Sequence, residues 1–215
     1  MNRPTKHSPF LPVLLRKEYA MKVLLICFLL SGMLLLQSCA LFSSKGTELQ
    51  PYAVLKREKA FEIRQYPAST VATIRSQARS YKDLGNPGFR KLAGYIFGGN
   101  DQQQQISMTA PVHMEITDSV STMSFVMPSK WEKDSLPKPN DAAVSIQTVP
   151  AEQVAVLRFG GFASDRKIAR KADKLRKALE TQNILYSGNF RYLGYNPPFQ
   201  LFGRRNEVIV RVGGF

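Results

Sequence analysis

Apolar and polar residues alternate along residues 106–116, and this is the clearest pattern in the chain. Alternation with a period of two over this length predicts a half-buried strand. Its apolar face consists of Ile106, Met108, Ala110, Val112, Met114 and Ile116. The opposite face consists of Ser107, Thr109, His113 and Glu115. Pro111 interrupts the ladder because it has no N–H to donate.

The same reasoning places further elements on both sides of this strand. Strands are predicted over 61–64, 69–75 and 121–128, and Met123, Phe125 and Met127 share a face of the last one. A first helix is predicted to start at Asn86-Pro87, with an apolar stripe ending at Ile96, and to stop at Gly98-Gly99. Ser164 is predicted to cap a second helix, whose stripe consists of Ile168, Ala172, Leu175 and Leu179. Residues 129–142 are predicted to form an exposed loop.

The second half of the chain repeats the first at an offset of 83 residues. Ile63, Pro67 and Val71 align with Ile146, Pro150 and Val154, and the helices align at Leu92 and Leu175. Each half contains two strands, a helix and a strand, and neither half buries its sheet alone. The sequence therefore predicts an α+β fold, a distorted pseudo-two-fold β-barrel of two strand-strand-helix-strand repeats flanked by two helices.

The N-terminal region has the features of a secretory signal. Residues 23–36 form an apolar run that is short for a membrane span, and the run ends in Leu36-Gln-Ser-Cys39. The prediction is a signal peptide over residues 1–38, lipidation at Cys39, a tether over 39–50 and one domain over 51–215. Because Met21 directly precedes the basic and apolar segments, an upstream extension over 1–20 is left open. An uncleaved signal anchor is the alternative.

The number of cysteines and the net charge exclude some kinds of site and favour some kinds of partner. Cys27 lies within the signal and Cys39 is the lipidation site, so the mature chain would contain no free thiol, disulfide or zinc–thiolate site. The chain carries a formal net charge of +14, and residues 1–38 hold five basic residues and one acidic residue, which leaves +10. This charge favours anionic partners, and export argues against nucleic acid. A solvated basic surface without a specific partner remains the simpler interpretation.

Several motifs along residues 52–212 carry a family resemblance. They include Gly94-Tyr-Ile-Phe-Gly-Gly-Asn100, Ile106-Ser-Met-Thr-Ala-Pro-Val112, Phe125-Val-Met-Pro128 and Tyr195-Asn-Pro-Pro198. In this order they resemble the SOUL/haem-binding protein family. The front of the chain resembles a bacterial lipoprotein, and Ala40 after the cysteine favours the outer membrane. The family resemblance implies a distorted β-barrel with two long helices, and haem as a possible ligand.

Two sets of residues are candidates for contacting such a ligand. Thioether and aromatic side chains adapt to flat apolar rings, and the candidates are Met108, Met114, Met123, Phe125 and Met127. Arginines beside aromatic residues suit the propionates, and the candidates are Arg64, Arg204 and Arg205. Filling the core is the alternative role for the first set, and covering surface rings is the alternative for the second. Trp131 has the same ambiguity, as a packing plug or as a ligand platform.

His113 is the only histidine after residue 38, and it is the candidate axial ligand to haem iron. Strand alternation places it opposite the methionines, however, beside Thr109 and Glu115, so the expectation is a solvent-exposed ring. No serine or acid is placed beside it by a motif, and no phosphate-binding loop is present. Asp165 and Asp173 lie among basic residues and are expected to form surface ion pairs.

The sequence therefore predicts a lipid-anchored periplasmic protein of the outer membrane that is not an enzyme. Its predicted ligand is amphipathic and anionic, with haem or a related tetrapyrrole bound non-covalently, and its role is that of a buffer, carrier or scavenger. A structural or interaction lipoprotein without a haem role is the alternative, with the basic helix 164–182 meeting anionic lipid or a partner. Hydrolytic chemistry on the same scaffold is the third possibility, because fold alone does not decide function.

Overall fold

The structure is a computed structural model that describes residues 46–213. The predicted signal peptide and Cys39 lie outside the described residues. The elements, in chain order, are strands β1 Glu48–Leu49, β2 Ala53–Arg57, β3 Glu62–Tyr66 and β4 Ser69–Ser76, helix α1 Tyr81–Ile96, strands β5 Thr109–Ala110, β6 Val112–Glu115 and β7 Ser121–Val126, the 3-10 turn η1 Lys133–Ser135, strands β8 Val144–Val149 and β9 Glu152–Phe159, helix α2 Asp165–Thr181, and strands β10 Tyr186–Gly194 and β11 Asn206–Val212.

The described strands build an α+β fold around one large antiparallel sheet. Nine strands pair in the order β2-β3-β9-β11-β10-β6-β7-β4-β8, and β1 pairs separately with β5 in parallel. Strand β8 lies at one end of this order, yet only Pro150 and Ala151 separate it from β9, near the other end. Because the three Cα–Cα steps from Val149 to Glu152 span at most about 11 Å, the sheet curls so that β8 comes close to β9.

The strand order is symmetric in a way that matches the sequence repeat. Exchanging β3 with β8, β4 with β9, β6 with β10 and β7 with β11 turns the order from β3 to β8 into the same order read backwards, so every strand keeps equivalent neighbours. The symmetry centre lies between β6 and β10, which pair with each other. Helix α1 packs on β4 and β7, and α2 packs on their counterparts β9 and β11. The sheet therefore alternates contributions from both halves of the chain.

The strand predicted over 106–116 is divided at Pro111. Residues 109–110 pair with β1, whereas residues 112–115 pair with β7 and β10. The Ala110–Pro111 peptide bond is cis. A single eleven-residue strand was therefore the wrong prediction, because Pro111 cannot donate to the ladder and the chain changes partner there. Alternation still holds within β6, where Met114 is buried in the core and His113 lies on the other face.

Helix α1 begins five residues before the predicted start at Asn86. Ser80 is the N-cap, and its hydroxyl accepts a hydrogen bond from the Asp83 N–H at 3.0 Å. Pro87 lies inside the helix instead of at its first turn. Beside it, a Cβ added to Gly88 would lie 2.9 Å from Ile74 Cδ1, so glycine is what allows the helix to approach β4 this closely. The helix ends as predicted, at Phe97 and Gly98, and Gly98 adopts a φ of +104°.

Helix α2 begins as predicted after Ser164, whose hydroxyl accepts a hydrogen bond from the Lys167 N–H. Its first residue, Asp165, also accepts a hydrogen bond of 2.6 Å from the Tyr81 N–H at the start of α1. Asp165 was expected to form a surface ion pair, and it instead satisfies a backbone donor of the other helix. Asp173 does form the expected kind of pair, with Arg176 at 2.9 Å.

The two faces of the sheet carry separate apolar clusters. The larger cluster lies between the sheet and the helices and includes Ala155 and Leu157 of β9. The smaller cluster lies on the face away from the helices, which we call the helix-distal face. It contains Val154 and Val156, which alternate with the first pair along the same strand. The rest of the helix-distal face carries polar side chains, and some of them, such as Thr73, Ser124 and Gln147, line a cavity described below.

Residues 48–50, which the sequence pattern assigns to the tether, pair with the domain. Glu48 and Leu49 form β1 beside β5, and the Gln50 N–H donates to the Ala110 carbonyl at 2.8 Å. The Glu48 carboxylate accepts a hydrogen bond from the Ser129 N–H at 2.8 Å. Within residues 46–213 no helix is long and apolar enough to cross a membrane.

Candidate functional site

The methionine face lies beneath helix α1. Met123 is 1% exposed and Phe125 is 1% exposed, and the Phe125 ring meets Phe89 of α1 edge-on at 5.3 Å. Met114 and Met127 are also buried, and Met108 is half-buried against the same core. These contacts are those of core packing, the alternative role weighed for this set. A role of these side chains in ligand binding stays a prediction.

Arg64 and Arg205 converge on one buried carboxylate, that of Glu207. Arg64 Nη1 donates to Glu207 Oε2 at 3.0 Å, and Arg205 Nη2 donates to Glu207 Oε1 at 2.8 Å. Tyr195 donates its hydroxyl to the same carboxylate at 2.8 Å. The rings of Tyr52 and Tyr195 stack against the two guanidinium groups, at 4.1 Å from Arg64 and 3.9 Å from Arg205.

The electrostatics of this network hold both arginines charged. Burial is the largest single influence and would lower the pKa of Arg64, but the charge of Glu207 and the hydrogen bonds to Glu207, Tyr66 and Glu62 together outweigh it, so the pKa is raised above its ordinary value. Burial, together with Glu207, raises the pKa of Tyr195 well above its ordinary value. Removing one partner from such a buried pair costs about 3–5 kcal/mol. Arg64 also pairs with the Glu62 carboxylate at 2.7 Å, so each arginine has a carboxylate partner inside the fold. Their predicted role in holding propionates stays a prediction.

Arg204 differs from its neighbour because its partners are neutral. Its Nη1 donates to the carbonyls of Pro197 at 2.8 Å and Gln200 at 2.7 Å, and its guanidinium lies 4.6 Å from the centre of the Phe162 ring. The Nε atom is buried without a hydrogen-bond partner. Within residues 46–213, no ion pair to Arg204 is found, so its positive charge is not neutralised by a carboxylate.

An exposed apolar surface surrounds this arginine, and we call it the aromatic loop surface. It consists of Phe162 in the β9–α2 loop and of Phe199, Leu201 and Phe202 in the β10–β11 loop. Their exposed fractions are 54%, 61%, 63% and 85%, in that order. Asn206 holds the two loops together, because its Nδ2 donates to the Gly161 carbonyl at 2.8 Å. Large apolar side chains grouped in this way mark interaction or ligand-binding surfaces.

Lysines of α2 add further positive charge to this surface. Lys167 Nζ donates to the carbonyls of Gly160 at 2.8 Å and Phe162 at 3.1 Å. Lys171 Nζ lies 5.8 Å from the Phe159 ring. Neither lysine forms an ion pair within the described part of the chain. The surface therefore combines apolar rings with three cations, a composition that suits a ligand with an apolar body and carboxylates.

His113 is not solvent-exposed, so that expectation was wrong. The ring is half-buried, and its Nε2 lies 2.7 Å from Gln50 Oε1. Burial lowers the pKa of His113 to about 3, and the nearby Arg191 adds to this effect. The ring therefore stays neutral at physiological pH. His113 lies on the strand face opposite Met114, as predicted. The residue that covers it, Gln50, comes from the segment 48–50, and the alternation of residues 106–116 could not predict that contact.

Two adjoining cavities lie near His113. The first, of about 260 Å³, is lined by His113, Gln147 and the ionic group of Glu152, Arg191 and Arg211. The second, of about 350 Å³, is lined by Trp131, Pro51 and Pro128. Trp131 is half-buried and packs against the main core, which agrees with a packing plug, although it also lines this second cavity. Sequence reasoning missed Gln50, Glu152, Arg191 and Arg211, because only the folded sheet brings these distant residues together.

The described residues contain no group of three or more His, Cys, Asp or Glu side chains that could hold a metal ion.

Comparisons with known proteins bear on this geometry. The family model for SOUL heme-binding protein matches residues 47–211. Heme-binding protein 2 of Mus musculus is 33% identical over 158 residues, covering 69% of this chain and 76% of that protein. Heme-binding protein 1 of Sus scrofa is 28% identical over 180 residues, covering 79% of this chain and 94% of that protein.

Solved structures with a similar fold have low sequence identity. The C-terminal domain of EcmrR has a TM-score of 0.53 at 12% identity, covering 76% of this chain and 99% of that one. A hydrolase from Listeria innocua has a TM-score of 0.51 at 8% identity, covering 74% of this chain and 94% of that one. At these identities the likeness concerns the fold alone.

Proposed function

Because the chain belongs to the SOUL heme-binding protein family, we propose that it binds haem or a related tetrapyrrole non-covalently, as a buffer, carrier or scavenger and not as an enzyme. The observation that carries this proposal is the aromatic loop surface with Arg204, Lys167 and Lys171 beside it. A tetrapyrrole has a large apolar ring and carboxylate side chains, and this surface offers a partner for each.

The size of the ligand favours this surface over the two cavities. Pockets for drug-sized ligands have volumes of about 300–1,000 Å³, and a tetrapyrrole lies toward the large end of that range. Neither cavity, at about 260 Å³ and 350 Å³, holds the whole ring by itself, so the ring would have to span both. An open surface has no such limit, and burying roughly 200 Å² of apolar area there contributes about 5 kcal/mol.

The cations at this surface supply the polar part of recognition. Hydrogen bonds to charged groups contribute about 1.5–3 kcal/mol each. Among residues 46–213, Arg204 and Lys167 donate hydrogen bonds only to backbone carbonyls, so a propionate would gain their charge without breaking an ion pair found there. Apolar burial and propionate contacts together give useful affinity without any bond to iron.

Hemin titration of the purified chain, followed by Soret absorbance, tests the proposal. We expect a saturable, red-shifted band, and we expect the Leu201→Ser/Phe202→Ser variant to bind hemin at least about tenfold more weakly. Both side chains are exposed, at 63% and 85%, so the fold should not depend on them. Leu185→Ser is the matched control, because Leu185 is 84% exposed outside this surface. Only a weak, nonsaturable change would contradict the proposal and favour an interaction lipoprotein without a haem role.

The cellular setting is part of the same proposal. Lipidation of Cys39 would anchor the domain to the outer membrane and place it in the periplasm, as supported by the apolar run and Leu36-Gln-Ser-Cys39. The anchor would give the protein a membrane as a partner, beside its amphipathic anionic ligand. The curled sheet would form a distorted barrel with both helices on its outside, supported by the two-residue connection between β8 and β9.

A further inference from the structure

The smaller cavity, of about 260 Å³, lies on the helix-distal face and is separate from the aromatic loop surface. Its walls come from β4, β6, β7 and β8 and from β9, β10 and β11, so both halves of the chain contribute. Most side chains that line it alternate along their strands with core residues, and Met114, a core residue, also reaches it. Ser124, for example, lies between Met123 and Phe125, which pack under α1.

Uncharged hydrogen-bonding groups form one wall of the cavity. Gln147 Nε2 donates to Thr73 Oγ1 at 3.3 Å, and the Thr73 and Ser124 hydroxyls lie 2.8 Å apart. Thr122 is half-buried in the same wall, and within residues 46–213 its hydroxyl forms no hydrogen bond. Ligand pockets typically place a small number of such polar groups among apolar ones to fix orientation.

A group of charged side chains forms the opposite wall. Arg191 Nη2 donates to both carboxylate oxygens of Glu152, at 2.8 and 2.9 Å, and Arg211 reaches the same carboxylate more loosely, at 3.3 Å. Two guanidinium groups therefore share one carboxylate. Arg75 and Glu115 also line the cavity, so its lining carries one more positive charge than negative.

His113 supplies a hydrogen-bond acceptor between these walls. The Gln50 side-chain oxygen can only accept, so the 2.7 Å contact requires a proton on His113 Nε2. The imidazole is neutral, because burial and then Arg191 lower its pKa to about 3. Its Nδ1 therefore keeps a lone pair that can accept a hydrogen bond from a ligand hydroxyl.

We propose that this cavity is a second ligand site and that it binds a small hydroxylated carboxylate, such as a hydroxy acid or a sugar acid. The carboxylate pairs with Arg211 and Arg191, and the hydroxyls bond to Thr122, Ser124 and His113. The excess of one positive charge selects a monoanion. A volume of about 260 Å³ lies just below the range for drug-sized ligands, which suits a molecule of this size.

Isothermal titration of the full chain with three six-carbon probes tests the site. D-gluconate carries both hydroxyls and a carboxylate, D-glucitol carries only hydroxyls, and hexanoate carries only a carboxylate. We expect one molecule of gluconate to bind with a dissociation constant of about 1 mM or tighter, and both other probes to bind at least about tenfold more weakly. Absence of gluconate binding, or equal binding of either control probe, would overturn the proposal.

Two variants locate the binding. Arg211→Gln removes the loosely held cation and leaves the Arg191–Glu152 pair intact, and Thr122→Val removes one hydroxyl at nearly constant shape. Each should weaken gluconate binding about fivefold or more, whereas Arg170→Gln on the exposed face of α2 should leave it unchanged. Hemin binding should be unchanged in Arg211→Gln. If both cavity variants bind gluconate as the unaltered chain does, the ligand lies elsewhere and the proposal fails.

Discussion

His113 forms a hydrogen bond with Gln50, a residue 63 positions earlier in the chain. That bond and the surrounding burial hold the ring on the helix-distal face, whereas the aromatic loop surface lies in the loops after β9 and β10. Because the proposed haem surface does not include this ring, we expect no bond between His113 and haem iron.

We therefore expect His113→Ala to leave hemin affinity within about threefold, which is less than about 1 kcal/mol. Metal-free protoporphyrin should bind nearly as well as hemin, since apolar burial and propionate contacts do not involve the iron. Soret titrations of both proteins with both ligands measure this. Loss of hemin binding in His113→Ala, with an unchanged circular dichroism spectrum, would show that the histidine ligates iron.

The lowered pKa of His113 also makes the free energy of unfolding depend on pH. Its pKa falls from an ordinary value of 6.5 to about 3 in the folded chain. Between these values the unfolded chain binds a proton that the folded chain does not, so stability is complete above pH 6.5 and is lost as the pH falls. The loss should be up to about 2 kcal/mol between pH 7 and pH 5. Urea unfolding at both pH values should show it, and His113→Gln should remove this component of the difference.

The strand face of His113 was predictable, but its surroundings were not. Period-two alternation places it opposite Met114, which is where it lies. Gln50 covers the ring, and burial together with Arg191 of β10 lowers its pKa. Both contacts are made only when distant segments meet, and a local pattern carries no signal for them. The same holds for Arg205, whose partner Glu207 is close in sequence but whose burial depends on Tyr52 and Tyr195.

The start of helix α2 could be predicted from the sequence, whereas the start of helix α1 could not. Ser164 followed by Asp165 and an apolar stripe predicted the start of α2 correctly. For α1, Asn86-Pro87 was a stronger local signal than Ser80, yet the helix continues through Pro87. The residues from Tyr81 to Gly85 become helical because Leu84 is buried in the core and Asp165 satisfies the Tyr81 N–H. Tertiary contacts therefore decided this boundary.

The caps at these helix starts can be tested together. Ser80→Ala and Ser164→Ala should each lower the free energy of unfolding by about 1 kcal/mol, because each removes an acceptor for a backbone N–H. Asp165→Ala should have a similar cost although it mainly affects the other helix. Chemical denaturation measures all three, with Ser129→Ala, an exposed loop position, as the control. An Asp165→Ala variant as stable as the control would show that the contact between the helix starts contributes nothing.

The interleaved strand order makes the two halves of the molecule depend on each other. Strand β3 pairs with β9, β4 pairs with β8, and β6 pairs with β10, so each half lacks neighbours when it is alone. The sequence repeat predicted two equivalent halves, but only the pairing shows that they alternate within one sheet. Neither half has a sheet that could close over its own apolar face.

A polypeptide of residues 51–142 alone should therefore show no cooperative thermal transition, because its β3, β4 and β6 would each lose a partner strand. Calorimetry and NMR dispersion measure this, and residues 46–215 serve as the control. A sharp transition with a dispersed spectrum from the fragment would contradict the interdependence of the halves.

At the level of the cell, the proposed anchor gives a separate expectation. Cys39→Ser should release the protein from membranes into the soluble periplasmic fraction, because Leu36-Gln-Ser-Cys39 is the lipidation signal found in the sequence. Detergent-free fractionation with immunoblotting measures this, and Cys27→Ser is the matched control that should remain in the membrane fraction. A Cys39→Ser protein that still sediments with membranes would rule out the lipoprotein assignment.

The symmetric strand order also has an evolutionary consequence. Two identical half-length chains related by a dyad would build the same order, with β6 and β10 as a self-complementary seam. Fusing them into one gene makes the seam independent of protein concentration. Fusion also lets each half change independently of the other. Ser80 and Ser164 still cap the two helices in the same way. In the cavity, however, His113 and Gln50 face Arg191 and Glu152. An identical pair of chains could not have given one cavity two chemically different sides.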